Sequence, residues 1–388
     1  MVLGFLKQRI RGTRPTPVAR AERQRDHREG LLSDPGPDRA IAAAAAWLSR
    51  AQDRSTSADG GVARHYSLID GWSASYPETT GYIVPTLLAV SGRLGEPEHK
   101  ERARRMLDWL VGIQLADGGF QGGRIDAQPV VSVTFNTGQI LIGLAAGVQT
   151  FGDVYADAMH AAASFLRDSQ DCDGCWRSHP SPFAAPGDKA YETHAALGLF
   201  AAETAAPGYG YAEAGLREVD WALGRQRANG WITDCCLNDP ERPLTHTLGY
   251  FLRGVIGAYD ASGDRVYLEG ARRTADALVA AQRTDGALAG RLTHDWHPAV
   301  EWVCLTGVAQ VAECWLLLAE RTRDNGYVAA AQAANRFVRR TVDLDGPDDR
   351  RGGVKGSFPV DGDYGPYEYL NWAAKFAIDA NLAELRLS

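Results

Sequence analysis

Six short segments of this 388-residue chain place carboxylates, imidazoles, phenols or amides just ahead of apolar runs rich in small residues. They are Tyr76-Pro77-Glu78-Thr79-Thr80, Phe135-Asn136-Thr137-Gly138-Gln139, Tyr191-Glu192-Thr193-His194, Leu244-Thr245-His246-Thr247-Leu248-Gly249-Tyr250, Glu301-Trp302-Val303-Cys304 and Tyr367-Glu368-Tyr369-Leu370-Asn371-Trp372. Glu and His are rarely buried without a partner or a task. If these segments meet, acid/base chemistry follows naturally. Glu78, Glu192, His194, His246, Tyr250 and Glu301 are the candidates for proton transfer. Tyr82, Asn136, Gln139, Arg124, Trp302, Tyr367, Glu368, Asn371 and Trp72 are the candidates for holding a substrate. Such aromatic rings suit a sugar face and a hydrocarbon equally. Each group also has a structural reading. Glu78 and Glu192 suit the first turn of a helix, where a carboxylate complements the dipole. Thr79, Thr80, Thr137 and Thr245 read as helix caps, and His194 and His246 as core histidines.

The elements that must position these groups are announced by a repeat. An Ala-rich helix ends in Gln, a short Asp/Asn-Gly turn follows, and an aromatic usually closes it. The copies fall at Gln52 with Asp59-Gly60-Gly61, Gln114 with Asp117-Gly118-Gly119-Phe120, and Gln170 with Asp173-Gly174-Cys175-Trp176. Gln226 carries Asn229-Gly230-Trp231, Gln282 carries Asp285-Gly286, and a degraded sixth copy ends in Arg351-Gly352-Gly353. Successive Gln residues are 62, 56, 56 and 56 residues apart, room for two helices and two connections per repeat. The second helix of each repeat is apolar nearly all round and should be buried; the Gln-bearing helix has a polar face and should lie outside. The spacing therefore predicts an all-α, closed (α/α)6 toroid of six helical hairpins over residues 38–388. The amino ends of its inner helices share one face. Backbone N–H groups and dipoles gathered there favour an anionic ligand. No stretch alternates long enough for a substantial sheet.

Composition limits the partners. With 41 Lys/Arg against 48 Asp/Glu the net charge is −7. Residues 1–30 carry +5 of this and the remainder −12, so the acidic body argues against nucleic acid. Residues 1–37 read as a basic, flexible arm. Its start, Val2-Leu3-Gly4-Phe5-Leu6, is a candidate for peripheral membrane or protein contact. No run is apolar enough to span a bilayer and no secretory signal is evident, so the expected address is cytoplasmic. The six cysteines then read as thiols or metal ligands rather than a disulfide framework.

The helix–Gln–Asp-Gly-aromatic phrase resembles the repeat of the squalene-cyclase and protein-prenyltransferase β-subunit superfamily. That toroid is shared in outline with six-hairpin glycosidases, polysaccharide lyases and sugar epimerases. The resemblance covers about Asp38 to the C-terminus and speaks to architecture more than chemistry. In prenyltransferases an Asp-x-Cys pair and a His at the next helix start hold zinc. Here Glu192-Thr193-His194 and His246 stand in the corresponding places, a possible zinc trio beside the preferred expectation of no cofactor. The Asp-x-Asp-Asp acid of class II cyclases has no match; the nearest text is Asp343-Leu344-Asp345. Phosphate-cradling Gly loops and a Gly-x-Ser-x-Gly elbow are missing.

The mixture of Glu, His, Tyr and Asn around aromatics favours a carbohydrate-active enzyme. It would act on a sugar or uronic acid unit of a small molecule or oligosaccharide by hydrolysis, elimination or epimerisation. Glycoside cleavage would use two carboxylates, Glu78 with Glu192 or Glu301. Chemistry at a uronate would use His246 and Tyr250, with Arg64, Arg124 or Arg291 meeting the carboxylate. An isoprenoid enzyme and a non-catalytic binding toroid are the alternatives.

Overall fold

A computed structural model describes residues 15–387. After a short helix α1 (Pro17–Arg28), twelve helices alternate between an outer and an inner layer. The outer set is α2 (Pro37–Asp53), α4 (Pro97–Ile113), α6 (Ala156–Asp168), α8 (Tyr211–Leu223), α10 (Arg265–Ala281) and α12 (Asn325–Arg339). The inner set is α3 (Pro77–Leu94), α5 (Thr134–Phe151), α7 (Thr193–Ala205), α9 (Thr245–Ser262), α11 (Leu305–Thr322) and α13 (Asn371–Arg386). Each inner helix packs on the next, and α13 returns to α3, closing the ring. The fold is the expected (α/α)6 toroid.

Inner helices are apolar around most of their circumference because they are covered on every side. Small residues let them approach closely. A Cβ on Gly143 of α5 would stand 2.2 Å from the carbonyl oxygen of Gly81 in α3, so Ala there would force the two backbones apart. The outer helices keep a polar stripe for water and bury the other face, as Trp47 and Leu48 do on α2.

The repeated Gln is a clasp. In four copies its side-chain amide donates to the carbonyl of its own turn and to a carbonyl of the next outer helix; at Gln226 the Thr274 hydroxyl takes the place of the turn carbonyl and itself donates to Gly230. Gln114 reaches Gly118 at 2.9 Å and Ala158 at 3.0 Å, Gln170 reaches Gly174 at 2.7 Å and Ala214 at 2.9 Å, and Gln282 reaches Gly286 and Ala330, both at 2.9 Å. The Asp of each turn accepts the backbone N–H two residues on, as Asp117 does from Gly119 at 3.0 Å. The turn glycine is left-handed and abuts the neighbouring outer helix. In the sixth turn Gly352 (φ 79°) meets the Ala43 carbonyl of α2, so the degraded copy seals the ring. Two polar bonds per clasp, at about 1 kcal/mol each, tie hairpin to hairpin.

Inner-to-outer connections are short, as with Gly95-Glu96 between α3 and α4. Outer-to-inner connections run over twenty residues or more and lie together on the face where the inner helices begin. They contain the short strands β1 (His65–Ser67), β2 (Gly71–Trp72), β3 (Val303–Cys304), β4 (Ser357–Phe358) and β5 (Glu368–Leu370). β1 lies between β2 and β5, antiparallel to both, and β3 pairs antiparallel with β4. The β1–β5 register sets His65 opposite Leu370 and joins the first hairpin to the last.

The arm expected over 1–37 needs correction where it is described. Thr16 caps α1 and Pro17 starts it. Glu22 and Asp26, one turn apart, are buried and hold the buried Lys355 ammonium at 2.7 and 2.5 Å. Arg350 and Tyr369 also bind Glu22, at 3.0 Å each. Hidden acids fix this segment from within, and Arg23 and Arg25 add ion pairs to Asp361 and Asp343 at 2.6 and 2.8 Å. The membrane-contact candidate Val2–Leu6 lies outside the described residues. Among the described residues no helix is long and apolar enough to cross a membrane. All six cysteines are free thiols.

Candidate active site: an aromatic basin around Glu78

Glu78 occupies the first turn of α3, where Pro77 starts the helix without losing a needed N–H. Its carboxylate accepts a hydrogen bond from the Asn136 amide of α5 at 2.9 Å, and the Tyr76 hydroxyl lies against it. Burial pushes its pKa up to about 7, with Tyr76 and the Arg64 guanidinium opposing the rise. Glu78 as a residue is only partly buried.

Beneath it, Tyr250 of α9 is the hub. Its ring lies 5.2 Å from Phe135, 4.5 Å from His194, 5.3 Å from His246 and 6.0 Å from Phe376, and its hydroxyl faces that of Tyr82. Tyr191 extends the wall at 5.3 Å from Phe135. On the other side Trp372 donates to the Tyr364 hydroxyl at 2.9 Å, packs 6.0 Å from Tyr76 and lies under the Arg64 guanidinium at 5.0 Å. Arg64 is fixed by Glu368 at 2.8 Å, and that positive charge holds Glu368 below the ordinary carboxylate range. Two carboxyls beside one arginine are thus driven apart, Glu78 toward neutrality and Glu368 toward the anion.

His246 lies between Tyr250 and Tyr364, the latter 4.9 Å away. Both ring nitrogens are buried without a hydrogen-bond partner among the described residues, and burial lowers its pKa to about 3, helped by the charge of Arg291. It is a neutral imidazole with uncommitted nitrogens. His194 donates its Nδ1–H to Gln139 Oε1 at 2.6 Å, and burial holds it well below the ordinary histidine value.

The structure therefore gathers Glu78, Tyr82, Asn136, Gln139, His194, His246 and Tyr250, with Glu368 and Arg124 at the rim. Arg124 pairs with Asp126 at 2.9 Å and contributes to the field on Glu368.

Other candidates belong elsewhere. Glu192 lies in a three-residue 3-10 turn (Ala190–Glu192) that presents Tyr191 to the basin. Its charged neighbours are Lys189 and Asp188, and it faces Glu218 of outer helix α8. Burial pushes it up to about 8. Glu301 is exposed ahead of β3. Trp302 packs on Gly290 and Gly362. Trp72 lies 5.4 Å from Trp47 and donates to Asp349 at 2.8 Å. Tyr367 adopts φ 61° and turns toward Asp361 and Arg23. Asn371 is a strut, donating to Ala63 O at 3.0 Å and Thr79 Oγ1 at 2.8 Å. The expected threonine caps are ties as well: Thr80 and Thr137 accept from the Val62 and Phe120 N–H groups, both at 3.0 Å. The zinc trio is not assembled, since Glu192 faces outward, and among the described residues no three His, Cys, Asp or Glu side chains converge.

Tyr76 and Tyr364 were missed. Tyr76 is the residue before Pro77 and could have been read as an extended residue at the mouth. Tyr364 sits in a Gly-rich loop whose path no periodicity reveals.

Closed ring, long loops on one face and a polar basin there define a six-hairpin α/α toroid. Solved structures agree. The chain is similar to an unsaturated glucuronyl hydrolase specific for heparin, with 16% identity over 90% of this chain and 97% of that one, TM-score 0.73. It is similar also to a D-mannose isomerase (12%, 90% and 97%, TM-score 0.71) and to the cellobiose 2-epimerase of Bacillus thermoamylovorans B4167 (10%, 93% and 98%, TM-score 0.68). At these identities the likeness is one of fold. These toroids lend the squalene-cyclase side of the resemblance no support. No protein-family model and no curated protein matches the sequence.

Proposed function

We propose that this protein is a carbohydrate-active enzyme that moves a proton at a sugar or uronic acid unit held in the aromatic basin, with Glu78 as the acid/base. The observation that carries the reading is Glu78 itself: only partly buried as a residue, oriented by Asn136 and Tyr76, and raised to about 7. A carboxyl poised there is populated in both forms at neutral pH and can give a proton and take one back. Tyr76 and Tyr364, the partly exposed rings of the basin, offer faces to the apolar side of a sugar, backed by Trp372 and Tyr250. His246, neutral with both nitrogens uncommitted, is placed to accept a hydrogen bond from a hydroxyl or to serve as partner base. Two-carboxylate glycoside cleavage is the less favoured route, because Glu368 is already engaged by Arg64 and Glu192 faces away. The names of the similar structures, a glucuronyl hydrolase, an isomerase and an epimerase, support a sugar substrate.

The test is turnover in D2O of free aldoses, β-linked disaccharides and unsaturated uronyl disaccharides, read by NMR. Expected is one class converted with solvent deuterium in the product, and a pH–rate limb near 7 that Glu78→Gln removes. His246 should contribute no limb between pH 5 and 9. Conversion that proceeds undiminished in Glu78→Gln would overturn the assignment.

A further inference from the structure

The ring contains a second chamber. A cavity of about 430 Å3 lies deeper along the inner helices than the Glu78 basin, and all six of them line it. Tyr82, His194 and Phe376 form the partition between the two: Phe376 lies 5.4 Å from Tyr82, 6.3 Å from His194 and 6.0 Å from Tyr250. Phe200 and Leu197 extend the apolar wall.

Most charges around this chamber are already matched. Lys375 holds Asp379 at 2.6 Å and sits 4.0 Å above the Phe376 ring; Asp379 also accepts from Thr86 at 2.8 Å. Asp260 is gripped by both arms of Arg321, at 2.6 and 2.5 Å. Arg253 of α9 is different. Its nearest carboxylate oxygen, on Glu313, is 3.7 Å away, and among the described residues it makes no hydrogen bond. His194, 3% exposed, also lines the chamber; with Nδ1–H donated to Gln139, its Nε2 is an acceptor that can meet a hydroxyl on the ligand body but not its carboxylate. Burial and the charge of Asp379 raise the Glu313 carboxyl above its ordinary range, while Lys375 and Arg253 oppose the rise.

We propose that the lower chamber is a second binding site, distinct from the Glu78 basin, for a small organic carboxylate. The carboxylate takes the two-pronged guanidinium face of Arg253, and the body lies on Phe376 and Phe200. The fork of Arg matches a carboxylate edge to edge. A single negative charge fits better than a phosphate dianion, because Asp260, Glu313 and Asp379 stand around the same space and repulsion grows with charge. The volume lies within the range of small-molecule pockets. The proposal does not depend on the role given to Glu78.

Calorimetric titration at pH 7 with benzoate, glucuronate, benzamide and inorganic phosphate tests it. At least one carboxylate should bind one-to-one, and benzamide and phosphate should bind at least tenfold more weakly. Arg253→Gln should weaken the carboxylate at least tenfold. Ala201→Trp, which fills the chamber, should do the same, and thermal melts establish that each variant is folded. Glu78→Gln should change the affinity less than twofold. Failure of both carboxylates to bind, tighter binding of phosphate, survival of binding in either folded chamber variant, or its loss in Glu78→Gln overturns the proposal.

Discussion

Glu78 and Glu192 occupy like positions in the sequence, each three residues ahead of a small residue at an inner-helix start, Gly81 and Ala195. Their surroundings could hardly differ more. Glu78 opens onto the basin, is oriented by Asn136 and feels Arg64. Glu192 is turned outward by a 3-10 turn, faces the buried Glu218, and has one oxygen without any hydrogen-bond partner. Both are raised, to about 7 and about 8, by the same cause, burial. A shifted carboxyl therefore does not by itself mark a reaction centre. Access and orientation separate the two.

The largest expected effect lies in exchanging each for its amide. Glu78→Gln should lower kcat by about 10²–10⁴-fold, the usual worth of a general acid/base, with the melting temperature nearly unchanged. Glu192→Gln should alter kcat by less than about threefold, within the range of a residue outside the chemistry. Equal losses would erase the distinction drawn here.

A third buried site supplies the contrast of acids that do have a partner. Glu22 and Asp26 share Lys355, and removing that ammonium as Lys355→Met should cost about 3–5 kcal/mol in a denaturant titration, because Asp26 is left buried without a cation while Glu22 keeps Arg25 and Arg350. A loss below about 1 kcal/mol would mean the acids simply take up protons.

Next comes pH. The folded pKa of Glu192 lies above its unfolded value near 4.5, so the fold favours the protonated form. Its contribution is complete below pH 4.5 and is lost as pH rises toward 8. Wild-type stability should fall across pH 5–8 by about 2–4 kcal/mol more than that of Glu192→Gln. Parallel curves for the two proteins would mean Glu192 does not titrate in that window. The smallest effect is expected at Glu301, exposed at the rim: Glu301→Gln should leave stability within about 0.5 kcal/mol and turnover within about twofold.

The ring was legible because its repeat is a clasp with strict chemical demands. A Gln amide must span two carbonyls, an Asp must close the turn, and a Gly must pass a neighbouring backbone, so these residues recur at fixed spacing. The basin was legible in part. Glu78, Asn136 and His246 follow from helix starts, where direction is set by the first turn. Trp72, Tyr367 and Glu192 were misplaced because long loops and one 3-10 turn set their directions, and neither has a periodicity to read. The second chamber was invisible for another reason: Arg253, Glu313 and Lys375 come from three separate helices, and only their packing shows which charge is loosely paired. The docking of α1 left a faint sign, the Glu22–Asp26 spacing within an otherwise basic stretch.

That docking has a consequence for how the molecule is made. Asp26 and Lys355 are 329 residues apart, so α1 leaves the ribosome long before its binding site and cannot dock until the last hairpin is being made. Until then its two acids remain in water, at no penalty, and the seam between first and last hairpins stays open. Closure of the toroid therefore waits on the hairpin that carries Lys355, Tyr364 and Glu368.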